Sequence, residues 1–206
     1  MKKFLTTFLC VFVLIFGTLN AQEKATVPPY EGFALGGYLN NQYGLGSWAD
    51  FLIASGGAGI VGEYTLPAEL PAGLGLGFSL HFDYAHFFPK PNSTLARGYD
   101  LFLTPGFWLR IPFGSGNAQF AFQPELGYTV FFHNIDGQNG SLAHGWYIDQ
   151  AFMFAAAFRY VVPAGGYRLE LDLAPLYTMA VEKGQLLNQI GFRFGVLWHF
   201  MKDAAN

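Results

Sequence analysis

Leu74-Gly75-Leu76-Gly77-Phe78-Ser79-Leu80-His81-Phe82-Asp83-Tyr84 decides the architecture of this chain. Leu74, Leu76, Phe78, Leu80, Phe82 and Tyr84 alternate strictly with Gly75, Gly77, Ser79, His81 and Asp83. A period of two belongs to an extended strand, whose successive side chains point to opposite faces. One face here is bulky and apolar, and the other is small or polar. A helix of this length would scatter the same apolar residues around its circumference.

The pattern recurs on both sides of this segment. It predicts strands over 32–43, 56–66, 72–86, 98–111, 118–132, 146–162, 167–181 and 188–200. Each exceeds the ~9–11 residues with which a tilted strand crosses a bilayer. Short turns containing Gly and Pro are expected at 67–71, 112–117 and 163–166. Longer loops are expected at 44–55, 87–97 and 133–145, with a short one at 182–187. Residues 22–31, with Pro28 and Pro29, read as an extended lead-in.

Of the 206 residues, 52% are hydrophobic and 12% are charged, fewer charges than a soluble domain usually carries. After the first 20 residues, Gly, Pro or a polar side chain breaks every apolar run, so no helix of spanning length is available. Such a chain satisfies its backbone in lipid only by closing a sheet on itself. Charge placement agrees. Glu63, His81, Asp83, Asp100, Arg110, Glu125, Asp149, Arg159, Arg168, Glu170, Asp172 and Arg193 all fall on the polar parity of their strands, and the opposite parity carries no charge. A soluble ligand-binding barrel would turn its apolar face inward. The apolar face here is too bulky for the inside of eight strands, whereas the other, rich in Gly and Ala, suits a narrow lumen. The fold class is therefore all-β: an antiparallel up-and-down transmembrane β-barrel of eight strands over 32–200. Tyr84, Tyr99, Phe132 and Trp146 are expected at the outer interface, and Tyr64, Phe107, Tyr160, Tyr167 and Trp198 at the periplasmic one.

Residues 1–21 read as a secretory signal peptide: Lys2 and Lys3, an apolar stretch from Phe8 to Phe16, and a cleavage region ending at Ala21. Cys10, the only cysteine, lies inside that stretch rather than behind it, which places it in the discarded signal and argues against lipidation. Without Lys2 and Lys3, eleven basic side chains become nine against fourteen acidic ones, a net charge of −5. No basic stripe exists, which excludes nucleic acid as a partner. No cofactor is expected.

The last strand ends Arg193-Phe194-Gly195-Val196-Leu197-Trp198-His199-Phe200. This resembles the C-terminal signal by which outer-membrane barrels are handed to their assembly machinery: a polar residue, a glycine two positions on, then two apolar or aromatic residues one apart. Arg193, Gly195, Trp198 and Phe200 fill those places, and the departure is a tail, 201–206, after the usual terminal Phe. The whole chain after residue 21 resembles the small outer-membrane barrels: the membrane domain of outer membrane protein A, its relative X and the W family. That resemblance implies an integral outer-membrane location, with outer-membrane lipid and the barrel-assembly machinery as partners.

Three constellations bear on chemistry. Ser79, His81 and Asp83 share one strand face, and some barrel enzymes that cleave acyl chains from lipid carry His and Ser two apart. The lumenal parity of this set argues against contact with lipid. His81, Asp83 and Asp149 lack the spacing of a defined metal site. The third is Glu63, Arg110, Glu125, Arg159, Arg168, Glu170, Asp172 and Arg193, a set of buried charges that must pair and would then plug the lumen. Placing Val162 opposite Tyr167 sets Arg159 opposite Glu170; the competing registers set it beside Asp172 or Arg168. A turn around Gly114-Ser115 sets Pro105 opposite Pro124 on the lipid side. The function expected is a non-enzymatic outer-membrane barrel of structural or surface role. A narrow conduit for small or apolar solutes, allowed by Phe102, Trp108, Phe131, Met153 and Leu197 on the lumenal parity, is one alternative. An adhesin and a lipid-acyl hydrolase using Ser79 and His81 are the others.

Overall fold

A computed structural model describes residues 32–67, 70–113, 119–137, 145–164, 167–182 and 185–200. The expected signal peptide 1–21, lead-in 22–31 and tail 201–206 lie outside the described residues. The strands are β1 (Gly32–Leu45), β2 (Leu52–Thr65), β3 (Gly75–Pro89), β4 (Leu95–Phe113), β5 (Gln119–Gly137), β6 (Gly145–Ala164), β7 (Tyr167–Glu182) and β8 (Gln185–Phe200). Each pairs antiparallel with the next, and β8 returns to β1 to close the barrel. Closure leaves no edge whose N–H and C=O groups would face lipid unpaired.

Alternation places the side chains as the sequence predicts. Phe78, Leu80, Phe82, Phe152, Phe158 and Phe194 stand on the outside, each roughly half exposed. Ser79, His81, Asp83, Arg159 and Arg193 are buried inside. The aromatics form clusters near both ends of the wall. Tyr99 lies against Tyr84 and Trp146 on one side, and Phe120 against Phe113 and Tyr160 on the other. Phe107 departs from the expected periplasmic girdle. It pairs with Phe78 and Leu126 at the level of Glu125, in the middle of the wall.

The strands outrun the sequence estimate. β2 starts at Leu52 rather than 56, and β5 runs on to Gly137 rather than stopping at 132. Only Gly46, Ser47 and a four-residue helix, α1 (Trp48–Phe51), separate β1 from β2. Gly46 turns the chain there with φ +59°, a conformation most side chains avoid. A ladder of backbone hydrogen bonds continues past the alternating stretch whatever the side chains are.

Two expected registers are corrected. Ala164 pairs with Tyr167, leaving Gly165 and Gly166 between them, and this puts Arg159 opposite Asp172 rather than Glu170. Gly-Gly suits the two-residue hairpin connection, which is favoured over the four-residue turn assumed from sequence. Phe113 pairs with Phe120, so Pro105 does not face Pro124; the register sets Pro105 against Tyr128 and Pro124 against Leu109. Both differences are even shifts, which leave every side chain on its own face and are therefore invisible to alternation. Both prolines do lie on the outward parity, and the β4–β5 pairing is interrupted beside each of them, between Leu103 and Gly106 and between Trp108 and Ile111. Proline has no ladder donor to give there.

Candidate functional site: the charged lumen

Side chains from all eight strands meet inside the barrel. Arg159, from β6, reaches across the lumen to Glu63 on β2 with two bonds of 2.6 and 2.9 Å. The same guanidinium donates to Asp172 Oδ1 at 3.1 Å and to Glu170 Oε2 at 3.2 Å. Arg110 holds Glu170 in a second fork, at 2.9 and 2.7 Å, and donates through Nε to Gln123 Oε1 at 3.0 Å. Arg193 donates to Asp172 Oδ2 at 2.9 Å and to Glu125 Oε2 at 3.3 Å. Planar guanidinium groups match carboxylates in this forked geometry, and charge assistance makes such bonds about twice as strong as neutral ones. The three arginines and Glu63, Glu125, Glu170 and Asp172 thus form one connected network, with every member 4% exposed or less.

A hydrogen-bonded shell extends it toward β1. His81 Nε2 lies 2.7 Å from Glu125 Oε1, and Ser79 donates to that same carboxylate oxygen. The Tyr38 hydroxyl donates to Asp83 Oδ2 at 2.7 Å and lies 3.1 Å from His81 Nδ1, while Asn40 also donates to Asp83. Arg193 stacks over the Tyr38 ring at 5.3 Å from its centroid. Glycine makes room for that ring. A Cβ on Gly59 would sit 2.6 Å from Tyr38, and one on Gly195 would meet Tyr38 Cβ at the same distance.

Above the network, the Thr104 and Thr129 hydroxyls are 2.9 Å apart, and Phe102 meets Phe131 edge-on at 4.7 Å. The outer mouth is closed by His133, which bonds Asp100 and lies 3.1 Å from Asp149 Oδ2. Trp48 of α1 packs near His133 and Phe87, with centroid distances of 6.3 and 6.1 Å. Voids between these layers measure about 20 and 10 Å³, room for little more than a single water.

Of the residues expected in the plug, seven are joined in this way. Arg168 lies on the inward parity of β7, half-buried, opposite His199. Ser79 and His81 meet through Glu125, and Asp83 turns to Tyr38 and Asn40. Among the described residues no group of three His, Cys, Asp or Glu side chains could hold a metal. The C-terminal set divides by parity: Arg193 and Gly195 face the lumen, while Trp198 and Phe200 stack outside at 6.3 Å. Sequence reading missed Tyr38, Gln123, His133 and Trp48. Tyr38 carried a usable signal, a large ring on the lumenal parity of a strand rich in glycine. Trp48 and His133 carried none, because both were assigned to loops.

A closed antiparallel barrel that is apolar outside and ion-paired inside is an integral outer-membrane β-barrel. No known protein family and no curated protein matches this sequence. Several solved structures are similar to it at low identity, among them the following. Neisserial surface protein A aligns at 11% identity and TM-score 0.49, over 82% of this chain and 98% of its own. Ail, the attachment invasion locus protein of Yersinia pestis, aligns at 11% and 0.49, over 82% and 99%. The N-terminal β-barrel domain of Pseudomonas aeruginosa OprF aligns at 13% and 0.35, over 80% and 98%.

Proposed function

We propose that this protein is a non-enzymatic outer-membrane barrel whose lumen is held shut by its own ion pairs, and that it acts through its walls and exposed ends in a structural or surface role. The observation that carries this reading is the cross-lumen fork of Arg159 on Glu63, tied through Asp172 and Arg193 to Glu125. A solute passing through would have to separate charges that no bulk water stands ready to solvate. The non-enzymatic part rests on Ser79 and His81. Ser79 Oγ and His81 Nε2 both meet Glu125, away from lipid, instead of forming a nucleophile–base pair with each other. The outer-membrane lipid is the partner of the belt. The barrel-assembly machinery is the partner of the last strand, through Arg193, Gly195, Trp198 and Phe200.

Planar-bilayer recording of the refolded protein tests the closed lumen. The expected trace has no unitary steps; regular steps would favour the narrow-conduit reading instead. The same preparation is expected to release no fatty acid from vesicles. Release abolished by both Ser79→Ala and His81→Ala would favour the hydrolase. A surface-contact role has one specific support, the projection of β4 and β5 to an ion pair between exposed Arg97 and half-buried Asp136 above the belt.

A further inference from the structure

The outward wall is not uniformly bulky. Across the middle of β5, β6 and β7, the outward row reads Pro124, Ala156, Pro175. Pro124 is paired with Ala156, and Ala156 falls against Pro175, between the pairs Ala155–Leu176 and Phe158–Leu173. The row above it is Leu126, Phe154, Tyr177, and the row below is Phe122, Phe158, Leu173. Short side chains between two ridges of large ones leave a furrow, a depression of about 560 Å³ in the wall. Its floor reaches the backbone plane: Glu125, Ala155 and Leu176, whose side chains point inward, contribute to its lining. The β6–β7 pairing is interrupted at this level, as the β4–β5 pairing is at Pro124.

We propose that this furrow is a binding site for one acyl chain of a membrane phospholipid. The shape argues for a chain. The furrow follows one register row from Leu109 to Pro175, with Phe107 and Ile190 at the two ends of the ridge above it, so it is long and narrow. Its position argues for lipid, because it lies in the outward apolar belt among Phe107, Leu126 and Phe154. Its volume falls in the range of specific small-molecule sites, roughly 300–1,000 Å³. No hydrophobic driving force separates one apolar surface from another inside a bilayer, so selectivity here comes from dispersion contact. A chain lying across the ridges gives the floor atoms partners that a flat wall would not need. The site rests on the reading of the belt as lipid-facing.

The test uses the full barrel refolded into phosphatidylethanolamine–phosphatidylglycerol vesicles, extracted in mild detergent and weighed by native mass spectrometry. Flotation with the vesicles is scored in parallel. Wild type is expected to float and to retain a single phospholipid. Ala156→Phe, which fills the furrow, is expected to lose it. Ala58→Phe, a similar addition on the outward face of β2, is expected to keep it. Phe154→Ala removes one ridge and is expected to weaken retention, which keeps the test decisive if Ala156→Phe does not fold. A floating wild type without bound lipid overturns the site and leaves the belt intact. So does equal retention by wild type, Ala156→Phe and Phe154→Ala, or equal loss in Ala156→Phe and Ala58→Phe. A wild type that does not float overturns the lipid-facing reading itself.

Discussion

Arg159 stands directly opposite Asp172 across the β6–β7 hairpin, yet it forms its shortest bonds with Glu63 on the far wall. Glu63 should therefore be the most strongly coupled partner of Arg159. Arg159→Ala or Glu63→Ala alone should each cost ~3–5 kcal/mol, because each strands a buried charge. The double variant should cost less than their sum by at least about 1 kcal/mol. Urea unfolding in vesicles reads the cycle. Arg159 with Glu170, joined by one bond of 3.2 Å, should couple more weakly. The reverse order would show that the cross-lumen fork does not persist in solution.

The register of the same hairpin is open to chemical cross-linking, since the only native cysteine is Cys10 in the expected signal peptide. Phe158 pairs with Leu173 on the outward face. Cysteines at 158 and 173 should oxidise to a disulfide, because opposed strand residues bring their Cβ atoms to ~4.5–5.5 Å, near disulfide reach. Cysteines at 158 and 171, the pair that the four-residue turn would align, should stay reduced. Thiol titration after mild oxidation distinguishes the two.

Gly59 should not tolerate even a methyl group while Tyr38 is present. The added carbon would lie 2.6 Å from both the Tyr38 ring and Asp83 Oδ1. Gly59→Ala should destabilise the barrel by ~1–3 kcal/mol, the usual cost of overpacking. In a Tyr38→Ala background the same change should cost less, because only the contact with Asp83 Oδ1 remains. Equal costs in the two backgrounds would mean that the ring does not pass over this glycine.

Charge on the outer wall should be penalised by depth. Phe194, 56% exposed and outward in mid-strand, should cost ~2–4 kcal/mol when replaced by Arg. Tyr43, outward but near the outer end of β1, should cost ~0–1 kcal/mol for the same change. Equal penalties would be incompatible with a hydrocarbon belt centred on the wall.

Alternation made the faces legible, and with them the fold. Phe78 outside and Glu125 inside follow from parity alone, because parity is a local property of each strand. Partner choice was not legible. Arg159 was assigned to Glu170 because its neighbours were counted along one hairpin, whereas its closest partner, Glu63, lies 96 residues away. Even register shifts leave the faces unchanged, so nothing in the pattern near Pro105 or Tyr167 could choose among them. His133 was hidden for a different reason. Polar residues around it read as a loop, while backbone pairing carries β5 five residues beyond 132, to Gly137.

The same separation of partners governs the order of events during membrane insertion. The β6–β7 hairpin pairs Arg159 with Asp172 and Glu170, but Glu63 on β2 takes its guanidinium from β6 and Glu125 on β5 takes its own from β8, so the hairpins alone cannot neutralise every charge. A sheet entering the bilayer before its ends have met would carry Glu63 and Glu125 into hydrocarbon without their arginines, each costing several kcal/mol. Loop closure over nearly the whole chain must therefore precede or accompany burial. A chain truncated before β8 is expected to wait at the water interface as an open intermediate.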